Sequence, residues 1–142
     1  MKKAVTILML AVALLIGGAY ADAKTKTRKK TKATTSQSSK GYRVEYGKII
    51  PTGSKPVIVD FYTDWCGPCK RYAPNFEYVK SRYGSRAIFI RINIDNNPEI
   101  SNHYNVHSIP TTMIIVENGN RYYTKKGYME TYELENFINS CI

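Results

Sequence analysis

The pattern of apolar and polar positions divides the 142-residue chain into an apolar leader, a polar segment and about 100 residues of short alternating elements. The clearest strand signal is 57–62, which is apolar throughout except for Asp60. A run of this kind is typical of a central strand covered on both faces. In 130–139 the apolar side chains recur three and four residues apart, which predicts an amphipathic helix.

Glycine, proline and asparagine mark the limits of the remaining elements. The predicted elements are a helix over 66–83 that bends at Pro74 and ends near Gly84, a strand over 87–93, a short helix over 98–104, and strands over 111–117 and 121–125 that flank a turn at Asn118-Gly119. This order of strands and helices indicates an α/β fold, with a mixed sheet covered on both faces by helices.

The first 21 residues have the pattern of a secretory signal peptide. A basic start at residues 1–3 is followed by an apolar core over 4–16 and by Ala19-Tyr20-Ala21, a small-residue cleavage site. The alternative is an uncleaved anchor, but the core is short for a membrane span. No cysteine precedes Cys66, which argues against a lipoprotein. We therefore expect cleavage near Ala21 and a location outside the cytoplasm, periplasmic or secreted.

Residues 22–40 contain no large apolar side chain and are predicted to be a disordered linker, because burial cannot offset the entropy of ordering them. The formal net charge of the chain is +10, whereas 41–142 holds 12 Lys and Arg against 10 Asp and Glu, a net of +2. Most of the net positive charge therefore lies in the leader and the polar segment, before residue 41. Residues 24–32 are either a weak contact to an anionic surface or a solvated spacer, and no nucleic-acid partner is expected.

The candidate chemistry lies in Trp65-Cys66-Gly67-Pro68-Cys69-Lys70, at a predicted strand-to-helix junction. Two cysteines at this spacing can form a disulfide or open to a dithiol, and a helix N-terminus favours the thiolate that attacks disulfides. A zinc site would need two further ligands, and neither His103 nor His107 has ligand spacing to the pair. The sequence thus predicts a redox-active disulfide and no metal or other cofactor.

This hexapeptide resembles the active site of the thioredoxin family. Asp60 stands six residues before Cys66, where the family has a buried carboxylate, and Pro74 stands five residues after Cys69, where its helix is kinked. Ile109-Pro110-Thr111 is similar to the family's cis-proline loop. The resemblance covers roughly residues 55–142, and it implies a thioredoxin fold over 41–142.

The segment before Cys66 departs from this pattern. Cys66 follows Gly41 by only 25 positions, in a segment where the family has an additional strand and a first helix. A strand over 42–46 is possible, but 47–55 contains Pro51 and Gly53 and leaves little room for a helix. The N-terminal layer of the fold is therefore expected to be abbreviated.

The resemblance implies a role for each residue around the cysteines. Cys66 is the expected nucleophile, Cys69 the resolving thiol, and Asp60 a proton acceptor for Cys69. Gly67 and Pro68 are expected to tune the redox couple. Arg91 matches a position where the family often has lysine and is also expected to tune the site; being always charged, it could not shuttle a proton.

The same resemblance implies a substrate groove around a cis peptide bond between Ile109 and Pro110. In the family this loop offers backbone groups to an extended substrate. The residues expected to bind substrate are Trp65, Ile94, Ser108, Ile109, Pro110 and Gly127.

These residues predict an exported enzyme that reduces protein disulfides and is recharged by a membrane electron donor. The Gly-Pro pair favours a reducing couple, with a potential of about −270 mV in thioredoxin against about −120 mV in a strong periplasmic oxidant. The alternatives are a net disulfide oxidase or isomerase, and a non-catalytic binding module. Cys141 is either an inert cysteine at a helix end or a handle for intermolecular pairing.

Overall fold

The fold is built on a four-stranded mixed sheet within residues 40–142, the part of the chain that the computed structural model describes. The elements in chain order are β1 (Tyr42–Glu45), β2 (Lys48–Pro51), β3 (Val57–Tyr62), α1 (Gly67–Tyr83), β4 (Ile88–Asn93), α2 (Pro98–His103), β5 (Thr111–Val116), β6 (Arg121–Lys126) and α3 (Thr131–Cys141). The predicted signal peptide and all but the last residue of the predicted linker lie outside the described residues.

Strand β3 occupies the middle of the sheet, as its apolar run predicts. It pairs parallel with β4 and antiparallel with β5, and β6 continues the sheet to give the order β4-β3-β5-β6. All five residues from Val57 to Phe61 are 0 % exposed. The strand therefore needs apolar side chains on both faces, which explains why it reads as a continuous run and not as an alternation.

Each face of the sheet has its own apolar cluster. The face covered by α2 and the β1–β2 hairpin, here called the α2 face, buries Val59, Phe61, Ile100 and Tyr104. The opposite face, here called the α1/α3 face, buries Ile58, Phe76, Leu134 and Ile138. Successive side chains of β3 alternate between the two clusters, and this alternation places Asp60 on the α1/α3 face.

The N-terminal layer is a two-stranded hairpin. Strand β1 agrees with the strand predicted over 42–46, and no helix forms over 47–55, but β2 was not predicted. The turn between the strands is left-handed at both Tyr46 (φ 50°) and Gly47 (φ 79°). Gly47 lies so close to α2 that a Cβ there would overlap the carbonyl oxygen of Glu99. Backbone packing therefore requires glycine at that position.

Helix α1 carries the sequence motif at its first turn. Cys66 is the N-cap with an extended backbone, so the helix begins at Gly67, one residue after the predicted start. Pro68 lies in the first turn, where its missing N–H is not needed. Pro74 lies inside the helix as predicted, and Gly84 follows its end in a right-handed conformation.

The connection between β5 and β6 differs from the predicted two-residue turn at Asn118-Gly119. A 3-10 turn spans Glu117–Gly119, and its residues adopt φ values of 51°, 56° and 84° in chain order. Three consecutive left-handed residues lengthen the connection and bring it against β2. Among residues 40–142, no helix combines the length and the apolar character needed to cross a bilayer.

Candidate active site

The candidate site lies at one end of the sheet, where segments distant in sequence meet. The carboxyl end of β3 leads to Cys66, and strand register pairs Tyr62 with Asn93 at the same end of β4. Strand β5 begins there, because Thr111 pairs with Phe61, and β6 ends there. The segments next to these strand ends are thereby brought to one edge of the sheet: the cysteine motif after β3, Ile94 after β4, the Ile109–Pro110 loop before β5 and Gly127 after β6.

Cys66 and Cys69 form a disulfide at the N-terminus of α1, with an S–S distance of 2.06 Å and a Cα–Cα distance of 5.3 Å. Both residues are buried, Cys66 at 5 % and Cys69 at 1 % exposure. The Cys69 backbone N–H donates to Cys66 Sγ at 3.1 Å. This N–H is one of the unpaired donors of the first helical turn, so it can stabilise negative charge on Cys66 when the disulfide opens.

Asp60 lies beneath this helix with its side chain fully buried. Arg91 is directly opposite on β4, and its Nε donates to Asp60 Oδ2 at 2.8 Å. The other carboxylate oxygen, Oδ1, is buried without a hydrogen-bond partner in the described residues. Burial raises the pKa of Asp60, an effect that the hydrogen bond and charge of Arg91 partly offset. A carboxyl with a raised pKa and a free oxygen is suited to accepting a proton.

Arg91 is held in place by Tyr62. Its guanidinium lies 4.3 Å from the centre of the Tyr62 ring, within the range of a cation–π contact. The Arg91 side chain is 26 % exposed, so its charge reaches solvent while its Nε reaches the buried carboxylate. Arg91 is thus paired with Asp60 and is not an isolated surface charge.

The Ile109–Pro110 peptide bond is cis, as the resemblance implies. The loop is braced at both ends, since Thr111 Oγ1 donates to the Ser108 carbonyl at 2.6 Å and the Gly127 N–H donates to the Pro110 carbonyl at 2.8 Å. Gly127 has φ 94°, a conformation in which a side chain would be strained. Ser108 is exposed and Ile109 half-buried, so this loop presents an accessible backbone.

Trp65 stands on the other side of the motif and is 72 % exposed. Its indole N–H donates to Asp95 Oδ2 at 2.9 Å. Asn93 supports this side of the site, because its Nδ2 donates to Asp64 and its Oδ1 accepts from the Asp95 N–H, both at 3.0 Å. Ile94, the next residue, is half-buried. The ring of Trp65 is thereby fixed although most of it faces solvent.

Several supporting residues were not identified from the sequence. Asn75 Nδ2 donates to both the Tyr128 hydroxyl and the Met129 carbonyl at 3.0 Å, which ties α1 to the segment after Gly127. Asn93, Asp64 and Asp95 were missed as well. The available signal for Asn75 was a polar residue on the apolar face of a predicted helix. Asn93, Asp64 and Asp95 could be identified only from the structure, in which the ends of β3 and β4 lie side by side.

A second buried pair spans the α1/α3 face. The hydroxyls of Tyr72 and Thr112 lie 2.8 Å apart, and both residues are 0 % exposed. Burial raises the pKa of Tyr72, so the phenol is neutral at physiological pH. Thr112 is also the β5 neighbour of Asp60 in strand register. Its hydroxyl is engaged by Tyr72.

A sequence model of the thioredoxin family matches residues 38–140. The chain belongs to the thioredoxin family. It is 38 % identical over 97 residues to a thioredoxin of Rickettsia felis, covering 68 % of this chain and 91 % of that protein. It is 40 % identical over 73 residues to Thioredoxin-T of Drosophila melanogaster, covering 51 % of this chain and 46 % of that longer protein.

Solved thioredoxin structures support the same assignment. The germline-specific thioredoxin Deadhead of Drosophila melanogaster superposes with a TM-score of 0.57 at 29 % identity, covering 63 % of this chain and 83 % of that one. Chloroplastic thioredoxin z gives 0.56 at 28 % identity, covering 61 % and 78 %. The chain therefore has the thioredoxin fold and is an oxidoreductase of that family, with Cys66 and Cys69 placed as a redox-active pair.

The remaining candidates lie apart from this thioredoxin site. Cys141 is a half-buried free cysteine at the end of α3. Within residues 40–142, no group of three His, Cys, Asp or Glu side chains is placed to hold a metal ion, and the absence of a cofactor in the whole chain stays a prediction. A cavity of about 490 Å³ lies at the other end of the sheet, near Pro56 and Glu117, and contains none of the predicted site residues.

Proposed function

We propose that this thioredoxin-family protein reduces disulfides in other proteins, with Cys66 as nucleophile and Cys69 as resolving thiol. The observation that carries the proposal is the position of the pair, with Cys66 at the helix N-cap and the Cys69 N–H directed at its sulfur. A hydrogen-bond donor already aimed at the sulfur favours the thiolate, which is the reactive form.

The reaction proceeds in two exchanges. The Cys66 thiolate attacks one sulfur of the substrate disulfide, a new S–S bond forms, and the other substrate sulfur leaves as a thiolate that takes up a proton. Cys69 then loses its proton and attacks Cys66 Sγ, which releases the second substrate thiol and forms the Cys66–Cys69 disulfide. Two electrons pass from the enzyme to the substrate, so each turnover requires a two-electron donor to restore the dithiol.

Asp60 is proposed as the acceptor of the Cys69 proton. Three features support this role: its side chain is buried on the face that α1 covers, its Oδ1 has no hydrogen-bond partner in residues 40–142, and burial raises its pKa. The effective acceptor has a pKa near the working pH, which a solvated aspartate lacks. Arg91 fixes the orientation of the carboxylate by binding only Oδ2.

The direction of electron flow is proposed from Gly67 and Pro68. Both are exposed in the first turn of α1, between the two cysteines. In thioredoxin this pair accompanies a potential of about −270 mV. That is about 150 mV below a strong periplasmic oxidant and corresponds to about 7 kcal/mol for two electrons. The groove residues Trp65, Ile94, Ser108, Ile109, Pro110 and Gly127 are proposed to bind the polypeptide around the target disulfide.

The deciding measurement is the reduction potential of the Cys66/Cys69 couple in the full chain, equilibrated with defined thiol buffers. A value at or below about −250 mV supports a reductase, and a value at or above about −180 mV makes the protein an oxidase or isomerase. Cys69→Ser should trap a mixed disulfide with substrate proteins, whereas the matched Cys66→Ser should trap none. A binding module that does not use its cysteines predicts equal capture by both variants.

Export is a separate part of the proposal, supported by the pattern of residues 1–21. A reporter that is active only outside the cytoplasm, fused after residue 40, should be active with the native leader and inactive with Leu14→Arg, which interrupts the apolar core. In that compartment a membrane protein that carries electrons outward is the proposed donor. Residues 24–32 are proposed to be either a solvated spacer or a weak contact to an anionic surface, and nucleic acid is not expected to bind.

A further inference from the structure

A cavity of about 270 Å³ lies beside the cis-proline loop, between the end of α2 and strand β6. Its walls include His107, three residues before Pro110, and Lys126, directly before Gly127. None of the residues predicted to bind substrate lines it. The cavity therefore adjoins the proposed substrate groove without being part of it.

Strand register determines which side chains of β6 face the cavity. The β5–β6 pairs on the α2 face are Thr111 with Lys126, Met113 with Thr124, and Ile115 with Tyr122. Directly paired residues of a sheet project to the same face, and neighbours along a strand project to opposite faces. Lys126 thus lies on the α2 face with the cavity, whereas Lys125 lies on the α1/α3 face.

Two tyrosines form a fixed wall of the cavity. The rings of Tyr104 and Tyr122 meet edge to face with their centres 5.2 Å apart. Tyr104 is only 6 % exposed, and its hydroxyl accepts from the Ile49 N–H at 2.8 Å. Because the Tyr104 hydroxyl is already engaged, the polar chemistry available to a ligand comes from the other lining residues.

Those residues make the cavity favourable for an anion. It is lined by the polar residues Asn105, His107, Thr124 and Lys126, by Thr111, whose hydroxyl already donates to the Ser108 carbonyl, and by no Asp or Glu. Lys126 and His107 are both exposed, and neither forms an ion pair among residues 40–142. An ammonium group and an imidazole N–H at the mouth of a small cavity can each donate to a carboxylate.

We propose that this cavity is a subsite for a glutamate or aspartate side chain of the substrate protein, located two to four residues from the target cysteine and bound by Lys126 and His107. The number of residues between the acidic side chain and the target cysteine follows from the length of the loop. His107 lines the cavity, and the three residues from it to Pro110, at the edge of the sheet where Cys66 lies, span at most about 10 Å. A substrate segment extended along the Ser108–Ile109 backbone covers that distance in about three residues. The inference rests on the proposed function, because it requires a disulfide in a polypeptide as substrate.

The test compares disulfide-linked peptides that are identical except for Glu or Gln at one position, two, three or four residues from the cysteine on either side. The full-length reduced protein should reduce the best Glu peptide with a kcat/KM about fivefold above that of its Gln partner. This ratio is the effect expected of a single charge pair that is partly exposed to solvent. Lys126→Met should bring that ratio to about one, and His107→Ala should lower it. Lys125→Met, the matched control on the opposite face, should leave the ratio unchanged.

Four results would overturn the subsite. A Glu-to-Gln ratio near one at every position, with the Gln peptides still reduced, removes the subsite and leaves the proposed function standing. An equal loss of preference in Lys125→Met and Lys126→Met assigns it to the general field of β6. Inhibition by free glutarate without any peptide preference assigns the cavity to small anions. If no peptide is reduced at all, the proposed function fails and the subsite with it.

Discussion

Replacing Arg91 by Met tests whether the buried carboxylate of Asp60 depends on its partner. In the native protein the fully buried Asp60 side chain has one charged hydrogen-bond donor, Arg91 Nε at 2.8 Å, and its Oδ1 has none in the described residues. Met fills a similar volume beside Tyr62 but supplies neither charge nor donor. The variant therefore leaves a buried carboxylate with both oxygens unpaired.

We expect Arg91→Met to lower the free energy of unfolding by about 2 to 3 kcal/mol at pH 8. This is somewhat below the loss of about 3 to 5 kcal/mol typical of breaking a fully buried ion pair, because the Arg91 side chain is 26 % exposed. Up to about 1 kcal/mol of this is the lost contact with the Tyr62 ring, which does not depend on the charge of Asp60. The remainder is the desolvation of an uncompensated charge. It can be relieved only by protonation of Asp60.

The pH dependence follows from the pKa of Asp60. Burial raises that pKa above its value in the unfolded chain, and loss of the Arg91 hydrogen bond and charge raises it further. A group with a raised folded-state pKa stabilises the fold below its unfolded pKa, and this contribution is lost as the pH rises through the folded pKa. The loss is larger in Arg91→Met, so the difference between the two proteins should shrink to about 1 kcal/mol or less at pH 4.

Urea unfolding of the oxidised proteins at pH 8 and pH 4 measures both differences. Asp60→Asn completes a double-mutant cycle, and in that background Arg91→Met should cost less than about 1 kcal/mol at either pH. Arg91→Lys keeps the charge but not the planar group, so its free energy of unfolding should lie between those of the native protein and Arg91→Met. A cost below about 0.5 kcal/mol at pH 8, or the same cost at both pH values, would refute the reasoning.

Two further predictions concern the packing of the hairpin. Tyr104→Phe leaves the buried Ile49 N–H without its 2.8 Å acceptor and should cost about 1 to 2 kcal/mol, with faster hydrogen exchange at that amide; an unchanged exchange rate would contradict this. Gly119→Ala should destabilise the protein by about 1 kcal/mol or more, because φ is 84° and the added Cβ would lie 2.8 Å from the Ile49 carbonyl oxygen. Gly53→Ala, where the added Cβ meets nothing within 4 Å, is the control, and equal costs by thermal or urea unfolding would argue against the packing explanation.

The sequence predicts the fold well wherever one segment carries its own signal. Strand β3 has the predicted bounds because burial on both faces requires a continuous apolar run. Helix α1 is delimited by residues whose backbone chemistry is local, with Pro68 in its first turn and Gly84 just past its end. The meeting of the cysteine motif with the cis-proline loop then follows from the order of strands and from the family resemblance.

Features that depend on contacts between distant segments could not be predicted in this way. Strand β2 is four residues long, ends in Pro51, and pairs through a turn that places a left-handed Tyr46 beside Gly47. Tyrosine is not a residue that signals such a turn. The ion pair of Asp60 with Arg91 requires the parallel register of β3 and β4, and a shift by one residue would place Arg91 on the other face.

The position of β6 at the end of the sheet order also governs how copies of the protein meet at high concentration. A terminal strand has a row of outward N–H and C=O groups to which a strand of another molecule can add. Here that row lies beside Arg121, Lys125 and Lys126, and five of the six residues of β6 are exposed. Two such strands approaching each other bring like charges together, so the same lysines act as gatekeepers against sheet-to-sheet aggregation.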